Sequence, residues 1–321
     1  MKPMKKMDTY IYKLGLWASA ALSLAACVDE DLSGCPLDVE TREITVSYQI
    51  DLHEGVDPGF DNELHSLHLG FWNSPQSLYR DLVFQPADMP EELVFKVTLP
   101  VDNYDHLAVA NHNNDRVGGG LHAFGQTLAE VAVDETPIAP DTIKALAYAP
   151  FAGRLSMRLE DEGTEHYTVL MSPVVGKMKI RVNHPTTLAN VKCYLSQTKG
   201  GFRCWADEYV DHDKMVTDAS GFRKTVSGQC DDFVFYCYPT LGEGVRRYAT
   251  KTTGTWKLYF YSEFEDKIIQ HIFTVTEPIE AGRVLEAEFD ITESGGEAVD
   301  ITAGVEIDTD WKPGNDYEGE M

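Results

Sequence analysis

The sequence of 321 residues predicts an all-β fold made of two consecutive β-sandwich domains. Many short segments alternate apolar and polar residues with a period of two, the pattern of strands that bury one face. These segments recur about every 8–12 residues and are separated by Gly, Pro and Asn, a spacing typical of sandwiches. The chain length suits two domains of roughly 130–150 residues, each large enough to bury a core.

The N-terminus carries the pattern of a bacterial lipoprotein signal peptide. Four lysines precede residues 14–26, which are all apolar or small and lead directly to Cys27. This stretch is too short to span a bilayer as a helix, for which about 20 residues are needed. We therefore expect residues 1–26 to be removed by cleavage between Ala26 and Cys27, with lipid attached to Cys27. The alternatives are an ordinary signal peptide with an incidental cysteine and a buried core helix.

The charge of the mature chain excludes two classes of partner. The leader contributes four Lys and one Asp, so the totals of 27 basic and 52 acidic residues become 23 and 51, a net charge of −28. Such a chain would be repelled by nucleic acid and by anionic lipid. We expect no nucleic-acid binding, and the acidity itself keeps a surface protein soluble without naming a partner.

The segment 27–38 reads as a lipidated acidic linker, and residues 39–163 as the first sandwich. Its first strand shows the reason, because Ile44, Val46 and Tyr48 alternate with polar residues. The predicted elements of this domain are strands at 43–52, 67–71, 82–84, 93–99, 107–110, 145–148 and 154–159, and a short helix within 121–130.

Residues 164–312 read as the second sandwich and follow a charged break at 161–165, while 313–321 form a polar tail. The segment 233–238 is apolar on both faces, which predicts a central strand. A Lys-Gly-Gly turn at 199–201 predicts that the strands before and after it pair as a hairpin. The predicted strands are 167–171, 178–182, 191–195, 202–204, 233–238, 255–261, 268–275, 284–291 and 305–311.

Five cysteines remain if Cys27 carries lipid, and one disulfide is a candidate. Cys193 and Cys204 flank the turn at 199–201. They lie opposite each other only if the turn centres between positions 198 and 199, whereas a turn centred on the two glycines places Cys193 opposite Glu208. The pairing therefore stays open. The cysteine spacings contain no Cys-x-x-Cys motif, so they do not favour zinc binding or redox chemistry.

The sequence does not favour catalysis. His65 and His68 would point to opposite faces of a strand, and the serines lack a Gly-x-Ser-x-Gly setting. We expect no enzyme activity, no metal site and no cofactor. The tryptophans could form a sugar-binding platform, but Trp256 and Trp311 share strand faces with apolar residues, which favours core positions.

The start of the mature chain resembles a known family. An acidic run at 29–31 and the motif Leu-Ser-Gly-Cys-Pro at 32–36 follow the lipidation motif, as in the FimB-type fimbrial anchor and fimbrillin-like lipoproteins of Bacteroidetes. Looser matches extend along the chain, at 167–171, 176–180, 236–240 and 305–311.

This resemblance implies two transthyretin-like β-sandwiches in a lipoprotein of the outer membrane, exposed at the cell surface. It implies a fimbrial anchor or minor subunit that binds fimbrial shaft subunits by β-strand addition. The segment with Val305, Ile307 and Trp311 is the candidate interface strand, although it could equally be an ordinary strand of the second domain. The alternative function is an outer-membrane glycan-binding lipoprotein.

Overall fold

The computed structural model describes residues 40–51, 56–74, 77–111, 128–134, 137–139, 141–159, 166–210, 215–240, 256–265, 267–294, 296–301 and 305–306. These residues form strands, turns and short 3-10 turns without an α-helix, so the predicted all-β class is confirmed. None of their helical segments has the length and apolarity needed to cross a membrane. Residues 42–321 form one compact unit, and all contacts described below lie within it.

Twenty-two strands are present in this part of the chain. The first ten are β1 (Thr41–Ile50), β2 (Leu67–Ser74), β3 (Ser77–Phe84), β4 (Val94–Pro100), β5 (Asn103–Ala110), β6 (Ala132–Asp134), β7 (Pro137–Ala139), β8 (Thr142–Lys144), β9 (Phe151–Arg158) and β10 (His166–Pro173). The remainder are β11 (Gly176–Asn183), β12 (Ala189–Ser196), β13 (Gly201–Arg203), β14 (Glu208–Tyr209), β15 (Val216–Asp218), β16 (Arg223–Ser227), β17 (Cys230–Cys237), β18 (Trp256–Phe264), β19 (Lys267–Val275), β20 (Val284–Ile291), β21 (Gly296–Ile301) and β22 (Val305–Glu306).

The first hydrophobic cluster lies inside a curled seven-stranded sheet with the order β3-β2-β5-β9-β10-β1-β4. Strand β1 pairs in parallel with β10, whereas β10, β9, β5, β2 and β3 pair antiparallel with one another. The end strands β3 and β4 approach each other, with the rings of Phe84 and Phe95 4.5 Å apart. Arg80 also donates a 2.9 Å hydrogen bond to the carbonyl of Thr98. The curl therefore brings both ends of this sheet together.

The second hydrophobic cluster lies between two sheets, which makes this part a β-sandwich. One sheet has the order β16-β17-β11-β20-β21, and the other has the order β22-β19-β18-β12-β15-β8-β7. Phe289 on β20 connects them, because its ring lies 4.5 Å from that of Phe273 on β19 and 5.6 Å from that of Phe260 on β18.

Several strands cross the boundary predicted between residues 163 and 164. Strand β10 follows it but joins the first sheet, while β6 pairs with β13 and β8 pairs with β15. The first and second halves of the sequence are therefore interleaved by strand pairing. The division into 39–163 and 164–312 stays a prediction, as does the likeness to transthyretin; a division by sheet membership would place β10 with the first cluster.

The predicted hairpin around residues 199–201 is wrong. Strand β12 pairs with β15 and β18, whereas β13 pairs with β14 and β6. Between them, Gln197 has a φ of 66°, and the hydroxyl of Thr198 lies 2.7 Å from that of Thr217 on β15, the neighbour of β12 in the same sheet. Cys193 and Cys204 consequently lie in different hydrophobic clusters, and both are buried without forming a disulfide.

Three smaller predictions also changed. The segment 145–148 makes only an isolated bridge, between Leu146 and Tyr236, and the regular strand β8 ends just before it. Within 121–130, only a 3-10 turn at Leu128–Glu130 belongs to the described residues. Strand β17 has a neighbour on each side but lies next to the sheet end. Its two apolar faces serve different clusters, because Phe235 belongs to the second and Tyr236 to the first.

Candidate functional site

Sheet ends are the main candidates for a binding site, because unpaired backbone groups can pair with another chain. The ends of the first sheet approach each other through side chains of β3 and β4. Strand β16 ends the five-stranded sheet with five exposed residues. At the end of the other sheet, the described part of β22 has two residues, so among the described residues most of β19 has a neighbouring strand on one side only.

Strand β19 presents the longest such edge of the second sandwich. All nine of its residues, Lys267–Val275, pair antiparallel with β18. On its other side, the pairing consists of Thr274 with Glu306 and Val275 with Val305. Among the residues that the structure describes, no strand pairs with this side of Lys267–Phe273. Within the described part of the chain, the N–H and C=O groups that this stretch points to that side therefore have no ladder partner.

The two faces of β19 differ strongly. Phe273 and Val275 are buried in the second cluster, and Ile269 packs against it. On the outer face, Ile268 is 61% exposed, which makes it the most exposed large apolar side chain among the described residues. A strand added here would place alternate residues over the interior of the sandwich and over this exposed isoleucine.

Two buried polar atoms beside this edge lack hydrogen-bond partners among the described residues. They are Nε2 of His271 and Oγ of Ser262, and the Ser262 residue lies opposite Ile269 on the neighbouring strand. Burial lowers the pKa of His271 to about 4, so the imidazole is neutral at pH 7. A buried polar group without a partner costs about 1–3 kcal/mol. A hydroxyl or amide brought to this edge would remove that cost.

The structure describes only some of the predicted site residues. Val305 lies in β22 and pairs with Val275, but Ile307 and Trp311 lie outside the described residues. Ala26, Cys27 and the linker 27–38 also lie outside them. The candidate interface strand therefore begins at the free edge of β19, and its assignment stays a prediction.

The aromatic platform has little support in the described part of the chain. Trp72 and Trp256 are fully buried core residues, and Trp205 is half-buried against the first cluster. The indole of Trp256 donates to the carbonyl of Glu277. The described residues contain no group of three or more His, Cys, Asp or Glu side chains that could hold a metal ion.

A polar junction lies between the two hydrophobic clusters, and it was not predicted from the sequence. The Lys177 ammonium lies 2.8 Å from the carboxylate of Asp61, which also accepts a hydrogen bond from the hydroxyl of Tyr236. The hydrogen bonds from Lys177 and Tyr236 hold the pKa of Asp61 below its usual range. Lys177 lies on the polar face of its strand with Lys179 and Arg181, so the alternation did not indicate its burial. This junction is structural, because its groups satisfy one another.

The side of β19 that has no partner among the described residues was not predicted either, because the sequence indicates only an ordinary strand at 268–275. The available signal was His271, a polar residue on the face of the strand that the alternation predicts to be buried. Without the pairing of strands, neither its burial nor its missing partner could be inferred.

Comparisons with known proteins place this architecture among fimbrial proteins. The sequence model of the family described as "Fimbrillin-A associated anchor proteins Mfa1 and Mfa2" matches residues 32–316. The comparison with curated protein sequences gives no significant match.

Several solved structures share the fold. A Bacteroides ovatus protein provisionally described as an adhesin has a TM-score of 0.57 and 11% identity, with 84% of this chain and 96% of that chain covered. A Bacteroides thetaiotaomicron protein provisionally described as polysaccharide binding has a TM-score of 0.55 and 13% identity, with coverage of 84% and 98%. The fimbrial anchor protein Mfa2 from Porphyromonas gingivalis has a TM-score of 0.50 and 11% identity, with coverage of 84% and 99%.

Proposed function

The chain belongs to the family of fimbrillin-A associated anchor proteins, and we propose on that basis that it is a surface-tethered fimbrial anchor or minor subunit. The observation that carries this proposal is the family match over residues 32–316, which includes both hydrophobic clusters. Its role is to hold a neighbouring fimbrial subunit rather than to catalyse a reaction.

The tether is the acylated Cys27, and the acidic linker that follows it holds the folded part away from the membrane. Each buried methylene of an acyl chain contributes about 0.8 kcal/mol, so several chains together give stable anchoring. We place the protein in the outer membrane with its folded part at the cell exterior.

The contact with the fimbrial subunit is β-strand addition at the edge of β19. Seven residues of this strand have no ladder partner on one side within the described part of the chain. An added strand would satisfy their backbone groups and extend the sandwich interior next to Phe273. The partner is therefore a subunit that offers an extended segment with alternating apolar residues.

The glycan-binding alternative is less well supported. The similarity to a protein provisionally described as polysaccharide binding, at 13% identity, concerns the fold alone. The rings of Trp72 and Trp256 are buried and cannot stack on a sugar.

Affinity purification from intact cells tests the proposed function. The tagged full-length protein should recover fimbrial subunits from the solubilised outer membrane. Failure to recover any subunit from cells that display intact fimbriae would contradict the proposal.

A pair of matched variants tests the edge. Ile268→Lys places a charge on the outer face of β19, whereas Val226→Lys places one on the other edge strand, β16, at a residue that is 54% exposed. Because one cross-strand pair contributes roughly 0.2–1 kcal/mol, Ile268→Lys should weaken subunit binding by up to about fivefold. If Val226→Lys weakened subunit binding and Ile268→Lys did not, the binding site would lie at β16 and not at β19.

A further inference from the structure

We propose that the parallel pair of β1 and β10 is the element that resists tension when the folded part is pulled by its N-terminus. The direction of this load rests on the proposed function, in which the chain is tethered ahead of β1 and holds a fimbrial subunit with its second sandwich. The resistance itself requires neither lipid nor a bound subunit, so it can be measured on the purified protein.

The order of the strands determines how such a load passes through the molecule. A tether ahead of Thr41 pulls on the N-terminal end of β1. Strand β10 ends at Pro173, and Val174 and Val175 then lead directly into β11 of the second sandwich. Both valines are fully buried, and the carbonyl of Val174 accepts a hydrogen bond from the hydroxyl of Tyr209. Tension from the second sandwich therefore reaches the pair at the C-terminal end of β10.

The two strands are parallel, so the two loaded ends lie at opposite ends of the pair. Residues 45–50 of β1 pair with residues 166–171 of β10 in an unbroken register. A pull on these ends slides one strand along the other. The ladder hydrogen bonds run across the strands at a slant, so they carry the load together and must break in one step. A strand lifted from one end would lose the same bonds one after another, at a lower force.

Side chains on the inner face of β1 also oppose sliding. Val46 and Tyr48 are almost fully buried, and they lie opposite Tyr167 and Val169. The hydroxyl of Tyr48 lies 2.9 Å from Nε2 of the buried His106. A shift by one residue would turn this face to the solvent, because successive side chains of a strand alternate between faces. Strand β1 therefore cannot move gradually along β10 while its packing is kept.

Polar contacts on the outer face strengthen the same pair. The hydroxyl of Ser47 donates to the carbonyl of Tyr167 at 3.2 Å and lies 3.0 Å from the hydroxyl of Thr168. Just after β1, the amide of Asp51 donates to the carbonyl of Met171 at 2.8 Å. The connection between the strands thus includes side-chain contacts and continues past the end of β1.

A second route for the load runs through the loop that follows β1. Asp57 accepts hydrogen bonds from the side chain of Arg283 at 2.9 Å and from the amide of Val284 at 2.7 Å. Asp61 pairs with Lys177 in the same region. These are separate side-chain contacts of a loop, so they can break one after another. We therefore expect the ladder between β1 and β10 to carry the larger share of the load.

Single-molecule force spectroscopy tests this with a disulfide that locks the pair. The full mature chain is held by a peptide tag at its N-terminus and by a second tag inserted after Gly228, in the turn between β16 and β17. Strand β17 pairs with β11 along its whole length, so the second tag pulls on β11. Ser47→Cys with Thr168→Cys joins β1 to β10, because their hydroxyls already lie 3.0 Å apart. Three other cysteines are replaced by serine, since the remaining thiols are buried; they are Cys27, Cys35 and Cys230.

The locked chain is compared with the same chain after reduction of the disulfide. At constant force the locked chain should unfold at least about tenfold more slowly, because forced unfolding is governed by the unfolding rate. The disulfide retains a loop spanning 121 positions, so the length released on unfolding should fall by about 400 Å, which verifies the bond. Equal unfolding rates of the locked and reduced chains would overturn the proposal.

Removal of hydroxyls gives a second measurement that needs no cysteines. Ser47→Ala with Thr168→Val should unfold about fivefold faster at the same force, because a hydrogen bond of typical strength is lost between the loaded strands. Ser156→Ala is the matched control, since it removes a 2.7 Å hydrogen bond to Asp105 between β9 and β5 of the same sheet. Asp57→Ala removes contacts of the second route. Both controls should leave the rate unchanged, and acceleration by either one to the level of the double variant would contradict the proposal.

A failure of this inference is distinguishable from a failure of the proposed function. The force measurements use purified protein without lipid or fimbrial subunits, whereas recovery of subunits from cells tests the anchor role. A chain that recovers fimbrial subunits but unfolds at the same rate when locked would overturn the load-bearing pair alone.

Discussion

Lys177 and Asp61 form a 2.8 Å ion pair at the junction of the two hydrophobic clusters, although they lie 116 positions apart in the sequence. The Lys177 side chain is buried, and it also donates to the carbonyl of Gly59. The hydroxyl of Tyr236 donates to the same carboxylate of Asp61. One exposed loop carboxylate therefore satisfies two groups from the strands of the second sandwich.

Removing that carboxylate charge should destabilise the protein. Asp61→Asn leaves the buried Lys177 without its anionic partner, which we expect to lower the free energy of unfolding by about 2 kcal/mol. Urea denaturation at pH 7 measures the change. Glu43→Gln is the control, because its ion pair with Lys96 is exposed and should contribute under about 1 kcal/mol. Equal effects of the two variants would show that the junction is no more than a surface ion pair.

Two buried histidines should make the protein acid-sensitive. Burial lowers the pKa of His106 and of His271 to about 4. Below pH 6.5 these histidines become protonated in the unfolded chain but stay neutral in the folded chain. Their contribution to the free energy of unfolding is therefore fully present above pH 6.5 and is lost as the pH falls towards 4. Each histidine should remove up to about 3 kcal/mol across this window.

Substitution of one histidine isolates its share of the acid sensitivity. His106 is held by the carbonyl of Gly70 at Nδ1 and the hydroxyl of Tyr48 at Nε2, so His106→Gln keeps a polar side chain without a titrating group. Urea midpoints between pH 7 and 4 should then fall less steeply than in the parent chain. An unchanged slope would show that His106 takes up no proton on unfolding.

Two glycines allow close approach of the chain and should resist substitution. A Cβ on Gly153 would lie 2.5 Å from the carbonyl oxygen of Leu170, and one on Gly176 would lie 2.8 Å from that of Glu280. Because backbone must move, Gly153→Ala and Gly176→Ala should each cost about 1–3 kcal/mol. Gly228→Ala meets nothing within 4 Å and serves as the control in the same thermal unfolding assay.

If Cys27 carries the proposed lipid, its replacement should release the protein from the membrane. Cys27→Ala removes the thiol to which the lipid would be attached, so the exported chain should move to the soluble fraction. Cys35→Ser, eight positions later, should stay with the membrane. Membrane retention of the exported Cys27→Ala chain would contradict the tether.

Strand positions and buried faces could be predicted from the sequence because a period of two reports the face directly. Ile44, Val46 and Tyr48 are buried as their alternation predicts, and so are Trp256 and Leu258. The all-β class followed from the number of such segments.

Strand partners could not be predicted in the same way. Alternation of apolar and polar residues indicates which face of a strand is buried, but it does not indicate which other strand pairs with it. Strand β1 pairs with β10, where Val46 lies opposite Tyr167, and β8 pairs with β15. The glycines at 200–201 suggested a hairpin, but β13 pairs with β14 and β6 and not with β12. The candidate edge depends on such partners, so it became visible only with the topology.

The interleaving of strands has a consequence for biogenesis. Strand β6 requires β13, and β8 requires β15, which ends at Asp218. A chain that leaves the cytoplasm amino end first cannot complete these pairings until more than two thirds of it has been translocated. These two pairings therefore form late, after most of the emerging polypeptide is already outside.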